Sequence, residues 1–306
     1  MYKNIVFYNH FHNGDIHLSR EFVRKLSEVF RQKLPGVNIS YSHKNNASLL
    51  ADIPNLGYNQ VPLNWHEHEG VMIRGDTILI NTWYAQRRFL YMNRYGITFD
   101  CLYLIFDDVC KTHFGFSLSE IESDPTKWFP AIDFSKFEIA NAKQRLDACQ
   151  EPMVLVSNGH ALSGQAENFP MLPAICNLAN KYQGIVFILT NHEPNFNPSQ
   201  HSNIFYSSDI IKKNGFDLNE NAFVSTYCDV IIGRASGAYS FSFIQQNLFQ
   251  KPKTFICFSN LVPSKENTFW LSEVFRDKVQ YTSKIVVVNE SRTDAAEKLI
   301  ERNLHV

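Results

Sequence analysis

The sequence lacks an excess of charge of either sign, because 29 Lys and Arg residues nearly balance 30 Asp and Glu residues among its 306 positions. Without a basic patch or stripe, the chain lacks the electrostatic footprint of a nucleic-acid-binding protein, so we expect no nucleic-acid partner. It also contains no apolar run near the roughly 20 residues that a membrane-spanning helix needs. We therefore expect no membrane span, and only a peripheral contact with a membrane stays open.

Closely spaced cysteine pairs are also missing. The chain has six cysteines but no C-x-x-C spacing, which is typical of zinc sites and dithiol redox motifs. Most of the cysteines fall inside apolar segments, which predicts buried, reduced thiols. The first residues show no signal-peptide pattern, so we expect a cytoplasmic protein that needs no cofactor.

The chain does contain a regular alternation of strand-like and helix-like segments. Short apolar runs predict strands at 5–8, 37–41, 77–82, 153–157, 185–190, 204–206, 230–232, 254–258 and 285–288. Strands separated by helices indicate parallel sheets with right-handed crossovers. The predicted fold class is α/β, with two Rossmann-like domains at 1–145 and 146–306. The irregular segment 117–150 is the expected crossing between them.

A polar hexapeptide, His10-Phe11-His12-Asn13-Gly14-Asp15, follows the first predicted strand. A periodic helix comes next and ends at Lys33-Leu34-Pro35-Gly36. Loops at the carboxyl ends of parallel strands lie beside unpaired helix N–H groups and commonly bind ligands. Asp15 is therefore a carboxylate at a predicted site, although Asp also favours such a position as a helix cap for stability alone.

A second junction of the same kind is Gly233-Arg234-Ala235-Ser236-Gly237-Ala238, which follows the predicted strand 230–232. A helix is expected to continue from it through Phe241, Ile244 and Leu248. Glycines allow close backbone approach, and a cation, a hydroxyl and a helix N-terminus together suit a phosphate group. The alternative for Arg234 is a solvated or salt-bridged side chain.

Several short motifs recur at matching places in a known family. Gly14-Asp15 follows the first strand, Pro35 precedes the second, Ser157-Asn158-Gly159 follows the first strand of the second half, and Ser236-Gly237 begins a later helix. In this order the chain resembles the GT-B-type glycosyltransferases, and within them the ADP-heptose–lipopolysaccharide heptosyltransferase-like family. The resemblance implies two Rossmann-like domains whose parallel sheets face a central cleft.

The resemblance also implies an activity: transfer of a hexosyl or heptosyl group from a nucleotide-sugar donor to a hydroxyl, without a metal. The acceptor would be a glycan or a lipid-linked molecule, as in cell-envelope glycan biosynthesis. Asp15 would be the general base, and its catalytic partner is predicted to be His12. Predicted donor-binding residues are Asn158, Gly159, Gln165, Arg234, Ser236, Gly237 and Ala238. Predicted acceptor-binding residues are Asn13, Gly14, His17, Trp83 and Tyr84.

The chain departs from the family pattern at two places. Ser240 stands where the family commonly has a histidine, three residues after the glycine of the later motif. The segment Gly164-Gln165-Ala166-Glu167-Asn168 replaces a Lys-containing one. Because both places belong to the donor side, the donor sugar and the nucleotide base stay open.

Two other functions are compatible with the sequence. One is a non-catalytic nucleotide- or sugar-nucleotide-binding protein on the same scaffold. The other is a metal-dependent hydrolase, because His10, His12, Asp15 and His17 lie close together and His66-Glu67-His68 adds a second cluster. Trp83 and Tyr84 suit stacking on a sugar ring, and they equally suit packing against a helix.

Overall fold

The computed structural model describes residues 2–9, 13–44, 46–59, 70–82, 99–162, 164–213, 215–260 and 278–304. The chain divides into two compact units, one of Met1–Ala131 with Pro263–Gln280 and the other of Ile132–Val262 with Tyr281–Val306. Each unit has its own sheet, dominated by parallel pairs, which confirms the α/β class. The second unit begins at Ile132, ahead of the division expected at residue 145.

The described part of the first unit contains a sheet in the order β3-β2-β1-β5-β4. Its strands are β1 (Asn4–Tyr8), β2 (Asn38–Ser42), β3 (Gly57–Asn59), β4 (Val71–Arg74) and β5 (Thr77–Asn81). Strand β1 is central and pairs in parallel with β2 and β5. Strand β4 is antiparallel to β5 and is joined to it by a tight turn at Gly75, which has a φ of +60°.

Helices cover this sheet with aromatic side chains. They are α1 (Asn13–Leu18), α2 (Arg20–Lys33), α3 (Phe99–Phe114) and α4 (Leu118–Ile121). The buried face of α2 carries Phe22 and Phe30, and the Phe22 ring stacks on Phe106 of α3 with centroids 4.5 Å apart. The sequence predicted one helix here, but Ser19 interrupts it and donates its hydroxyl to the carbonyl oxygen of Ile16.

The second unit contains a fully parallel sheet in the order β11-β10-β9-β6-β7-β8 among its described residues. Its strands are β6 (Met153–Ser157), β7 (Val186–Leu189), β8 (Ile204–Tyr206), β9 (Val230–Arg234), β10 (Thr254–Phe258) and β11 (Lys284–Val288). Strands β6 and β10 are buried along their whole length, as expected for a parallel sheet covered on both faces. All six strands match predicted apolar runs to within about two residues.

Six helices are described in this unit: α5 (Ala140–Asp147), α6 (Leu172–Lys181), α7 (Ser207–Ile211), α8 (Leu218–Ser225), α9 (Gly237–Ser240) and α10 (Thr293–Glu301). Helices α6 and α10 pack together on one face of the sheet, where Ile175, Leu178 and Ile300 join a single hydrophobic core. Among the described residues, no helix is both long enough and apolar enough to cross a bilayer.

The helix predicted from Gly237 through Leu248 is interrupted in the structure. Helix α9 ends at Ser240, and a π-helical turn follows at Gln246–Gln250. The buried Asn247 side chain donates to Ser225 Oγ at 2.7 Å and to the carbonyl oxygen of Ser242 at 2.9 Å. These bonds compete with helical pairing, which explains why the apolar period alone predicted too long a helix.

Candidate functional site

In the second sheet, the chain connections leave the neighbouring strands β6 and β9 in opposite directions. In the first sheet, the strand order changes sides between β1 and β5, with β2 and β3 on one side and β5 and β4 on the other. Open α/β sheets bind ligands beyond the carboxyl ends of the strands at such a switch point. We name the residues directly after these strands the β1–β5 edge and the β6–β9 edge.

A buried pair of hydroxyl groups, from Thr82 and Tyr41, lies at the β1–β5 edge. Thr82 follows β5 and donates its backbone N–H to the carbonyl oxygen of Tyr8 at 2.9 Å. Its hydroxyl lies 2.5 Å from the phenol oxygen of Tyr41, at the end of β2. Burial raises the pKa of Tyr41 and the Asp15 carboxylate raises it further, while hydrogen bonds with Thr82 and Ser19 lower it. Tyr41 is therefore a neutral phenol close to Asp15.

Asn13, Gly14, Asp15 and His17 lie on helix α1 rather than in a loop, which corrects the loop predicted for the first three. Asp15 is half-buried in the first turn, where a carboxylate is stabilised by the partial positive charge of the helix N-terminus. Gly14 and His17 are buried. The helix places Asp15 within the electrostatic range of Tyr41.

Several predicted residues lie outside the described part of the chain: His12, Trp83 and Tyr84, and also His10, His66, Glu67 and His68. Their roles stay predictions. In the part of the chain that the structure describes, no group of three or more His, Cys, Asp or Glu residues is arranged to hold a metal ion.

At the β6–β9 edge, Asn158 joins the loops that follow β6 and β7. Its Nδ2 donates to the carbonyl oxygen of Asn191 at 2.8 Å and to Glu193 Oε1 at 2.7 Å, and its Oδ1 accepts the backbone N–H of Asn191 at 2.9 Å. The amide is thereby fully used in holding the two loops together. A Cβ on Gly159 would lie 2.9 Å from Asn191 Oδ1, so a larger residue here would require the exposed Asn191 side chain to shift.

Arg234 also makes contacts within the protein rather than an exposed cationic cradle. Its Nη1 donates to the carbonyl oxygens of Asn158 at 2.6 Å and Gly159 at 3.1 Å, and its Nη2 donates to that of Phe169. The guanidinium lies over the Phe169 ring, and the residue is only 3% exposed. Arg234 is therefore neither an exposed phosphate ligand nor a solvated or salt-bridged side chain, since the described residues show no ion pair with it. Its guanidinium instead supports the loop after β6.

Gln165 lies in that loop and acts through its backbone. Its carbonyl oxygen accepts the backbone N–H of Asn260, just beyond β10, at 2.8 Å. The Asn168 side chain closes the loop by accepting from the backbone N–H of Ala161 and donating to the carbonyl oxygen of the same residue. The loop is therefore anchored at both ends and to the strand beyond β9.

Ser236, Gly237 and Ala238 are half-buried at the start of α9. The Ser236 hydroxyl accepts the backbone N–H of Tyr239 at 3.3 Å, as an N-cap does, and keeps its own proton to donate. This agrees with the predicted polar junction after β9, although the helix that follows has only four residues.

Sequence reasoning missed a small cavity of mixed polar and apolar lining at the same edge. It encloses about 70 Å³, and the polar side chains that line it include Ser157, Thr190, Asp217, Asn221 and Ser242. Ser157 Oγ and Asn221 Oδ1 are buried with no hydrogen-bond partner among the described residues. Burial raises the pKa of Asp217, and a hydrogen bond with Asn221 opposes that rise. The signal in the sequence was a polar residue directly after each buried strand, but the contribution of α8 depends on tertiary packing.

No protein-family model matches this sequence, and no curated protein sequence matches it either. Solved structures do. A glycosyl transferase family 9 structure from Veillonella parvula DSM 2008 matches with a TM-score of 0.53 and 14% identity, covering 99% of this chain and 92% of the other. The ADP-heptose lps heptosyltransferase II of E. coli matches with a TM-score of 0.47 and 13% identity, covering 99% and 98%.

At such identities the similarity concerns the fold alone. The chain is similar in fold to the Veillonella glycosyltransferase, and this confirms the fold resemblance inferred from the sequence motifs.

Proposed function

We propose that this protein is a glycosyltransferase that moves a sugar from a nucleotide-activated donor to a hydroxyl acceptor. The observation that carries the proposal is the pair of polar switch-point edges. One has a half-buried carboxylate at Asp15, and the other has the Ser236-Gly237 junction beside a small cavity lined in part by hydroxyl groups. A fold similar to that of a family 9 glycosyltransferase supports it.

Asp15 is the proposed general base. An acceptor hydroxyl must lose a proton as it attacks the anomeric carbon, and a positioned carboxylate can take that proton. Tyr41 is buried and held neutral near it, so it does not compete for the proton. His12 is proposed to assist in catalysis. Asn13, Trp83 and Tyr84 are proposed to form the acceptor surface, and the buried Gly14 and His17 are proposed to support it from below.

The β6–β9 edge is the proposed donor site. The departing nucleoside diphosphate carries negative charge that hydrogen-bond donors must stabilise. The Ser236 hydroxyl and the backbone N–H groups of Gly237 and Ala238 are proposed to bind it. Asn158, Gly159 and Gln165 are proposed to line the donor site, and Arg234 is proposed to hold their loop in place. This arrangement would perform the transfer without a metal ion.

The proposal assigns the acceptor to the first unit and the donor to the second. Transfer requires the attacking oxygen and the anomeric carbon to come within contact distance while water is excluded. We therefore propose that the two units act together on one pair of substrates. The proposed transferred group is a hexosyl or heptosyl group, and the proposed product is a cell-envelope glycan.

The test is a panel of ADP-, GDP-, UDP- and CMP-sugars. We expect one nucleotide class to raise the melting temperature, and the matching sugar donor to be consumed by transfer or by slow hydrolysis. Stabilisation with no consumption in the presence of hydroxyl acceptors would favour a non-catalytic nucleotide-binding protein. No stabilisation by any member of the panel would contradict the proposed function.

A further inference from the structure

The buried guanidinium of Arg234 joins the two ends of one loop. It bonds to the carbonyl oxygens of Asn158 and Gly159 where the chain leaves β6, and to that of Phe169 just before α6. The planar fork of arginine presents its donors in fixed directions, whereas lysine is a compact point charge. A lysine at this place would keep the charge but could not hold both ends of the loop in the same way.

The positive charge of Arg234 has no carboxylate bonded to it in the described part of the protein. Its bonds go to neutral carbonyl oxygens, and its Nε has no hydrogen-bond partner among the described residues. Burial lowers the pKa of Arg234 while the Glu193 carboxylate raises it, and an arginine stays protonated in proteins. Glu193 itself is bonded to Asn158. A buried cation therefore lies at the carboxyl end of β9, at the β6–β9 edge.

We propose that Arg234 is a positioning residue that holds the two ends of the loop after β6 together and places a fixed positive charge at the β6–β9 edge. The hydrogen bonds of Arg234 hold Asn158 and Gly159 in place, and its charge attracts an anionic group bound at this edge. The identity of that anion as the diphosphate of a nucleotide rests on the proposed function. The loop-holding role does not.

Lys253 provides a matched control in the same sheet. It is also a buried cation, and its Nζ donates to the carbonyl oxygens of Thr226 at 3.0 Å and Cys228 at 2.5 Å. Lys253 precedes β10 and therefore lies at the amino edge, opposite the proposed donor site. Its removal should perturb folding without affecting the loop after β6.

The loop-holding role is tested by hydrogen exchange in the full-length protein without ligand. The reporters are the backbone N–H of Ala161, which donates to Asn168, and that of Asn260, which donates to Gln165. We expect Arg234→Lys and Arg234→Met to speed exchange at both reporters by at least about 10-fold, because each loses charge-assisted bonds to the loop. Lys253→Met should leave both reporters at the wild-type rate.

The electrostatic role is tested by calorimetry with ADP, GDP, UDP and inorganic pyrophosphate as probes. We expect Arg234→Lys to weaken binding of the preferred diphosphate about 10-fold and Arg234→Met to weaken it further. Binding to Arg234→Met should also depend less on salt, because one cation near the anion is gone. Lys253→Met should bind as the wild type does.

Three results would overturn the inference in distinguishable ways. Wild-type exchange at Ala161 in a folded Arg234→Lys protein would overturn the loop-holding role. Equal diphosphate affinity in the wild type and Arg234→Met would overturn the electrostatic role. If the wild type binds none of the probes, the proposed function and the electrostatic role both fail. The hydrogen-exchange experiment still tests the loop-holding role in that case. If Arg234→Met does not fold, Arg234→Lys still tests the loop-holding role, and Arg234→Gln, which also removes the charge, tests the electrostatic role in its place.

Discussion

Gly233 lies where β9 passes under a buried aromatic ring. A Cβ at this position would lie 2.4 Å from Cδ2 of Tyr239 and 3.0 Å from Cβ of Ser157. Tyr239 is 1% exposed, so its ring has little room to move aside. We expect Gly233→Ala to lower the free energy of unfolding by about 1–3 kcal/mol, the usual cost of overpacking a core.

Urea denaturation measures this effect. The control is Gly184→Ala, because a Cβ on the exposed Gly184 would meet no atom within 4 Å. That variant should stay within about 0.5 kcal/mol of the wild type. Equal stabilities for Gly233→Ala and Gly184→Ala would mean that the ring of Tyr239 yields more easily than its burial indicates.

Asp15→Asn tests the proposed general base. The substitution keeps the shape of the side chain but removes its ability to accept a proton. We expect turnover to fall roughly two to four decades, the usual contribution of positioned proton transfer. Nucleotide affinity should stay at the wild-type value, because the proposed donor residues belong to the second unit. Steady-state kinetics and calorimetry separate the two quantities.

Asp76→Asn, in the β4–β5 turn, is a control for removal of a first-unit carboxylate away from the proposed site. A folded Asp15→Asn protein with turnover as high as that of Asp76→Asn would exclude Asp15 as the base.

Residue types alone indicated Asp15 and Ser236 as candidate site residues, because polar residues that follow buried strands are visible in the sequence. The partners of Arg234 were not visible. Its sequence position suited an exposed phosphate ligand, but its fork is occupied by carbonyl oxygens from a loop that begins some 75 residues earlier in the chain. Such pairings depend on tertiary structure, and periodicity or motif spacing does not encode them.

Helix α8 begins next to a half-buried carboxylate with an unfavourable charge. Burial raises the pKa of Asp217 above its ordinary value of 3.8, so the folded state binds that proton more tightly than the unfolded state does. The contribution of Asp217 to stability is therefore present at low pH, and it is lost as the pH rises through the raised folded-state pKa. Asp217→Asn removes this loss.

We expect the stability difference between Asp217→Asn and the wild type to grow in favour of the variant as the pH rises above 3.8, and then to level off. Urea titrations at a series of pH values measure it. Asp294→Asn, an exposed first-turn substitution in α10, shows whether loss of a helix-terminal charge alone has this effect. A difference that shrinks with rising pH would have the opposite sign to the one expected.

At the scale of elements, long apolar runs made the strands of the second unit predictable. The missed strands, β3 and β4, are short, and much of each is exposed. The only apolar run in either strand is Val71-Met72-Ile73 in β4, which is too short to indicate a strand in the sequence. The helix after β9 was predicted too long because the buried polar bonds of Asn247 oppose a favourable apolar period. Sequence patterns record burial well, but they do not record which polar groups find partners.

Metal dependence is a property of the whole enzyme. If N–H groups and a hydroxyl stabilise the leaving diphosphate, activity should survive chelation. We expect turnover after EDTA treatment and gel filtration to equal that of the untreated protein. One transition metal per chain by elemental analysis, together with lost activity, would favour the hydrolase alternative and its histidine clusters.

Substrate binding should also change the dimensions of the molecule. If donor and acceptor residues lie on different units, the ternary complex needs them to converge, and surfaces between domains usually permit such motion. We expect the radius of gyration from solution scattering to fall when the preferred nucleotide-sugar is added. An inert nucleoside should leave it unchanged. Equal radii with and without a saturating donor would argue against closure.

The packing of α10 on α6 has a consequence for biosynthesis. The side chains of Asn177 and Lys181 on α6 bond to Glu297 and Glu301 on α10, each across 120 residues of chain. Ile175 on α6 shares a hydrophobic core with Ile300 on α10. During translation α6 and the sheet strands that share its core therefore emerge from the ribosome before α10 does. The contacts between α6 and α10 form only after almost the whole second unit has been synthesised.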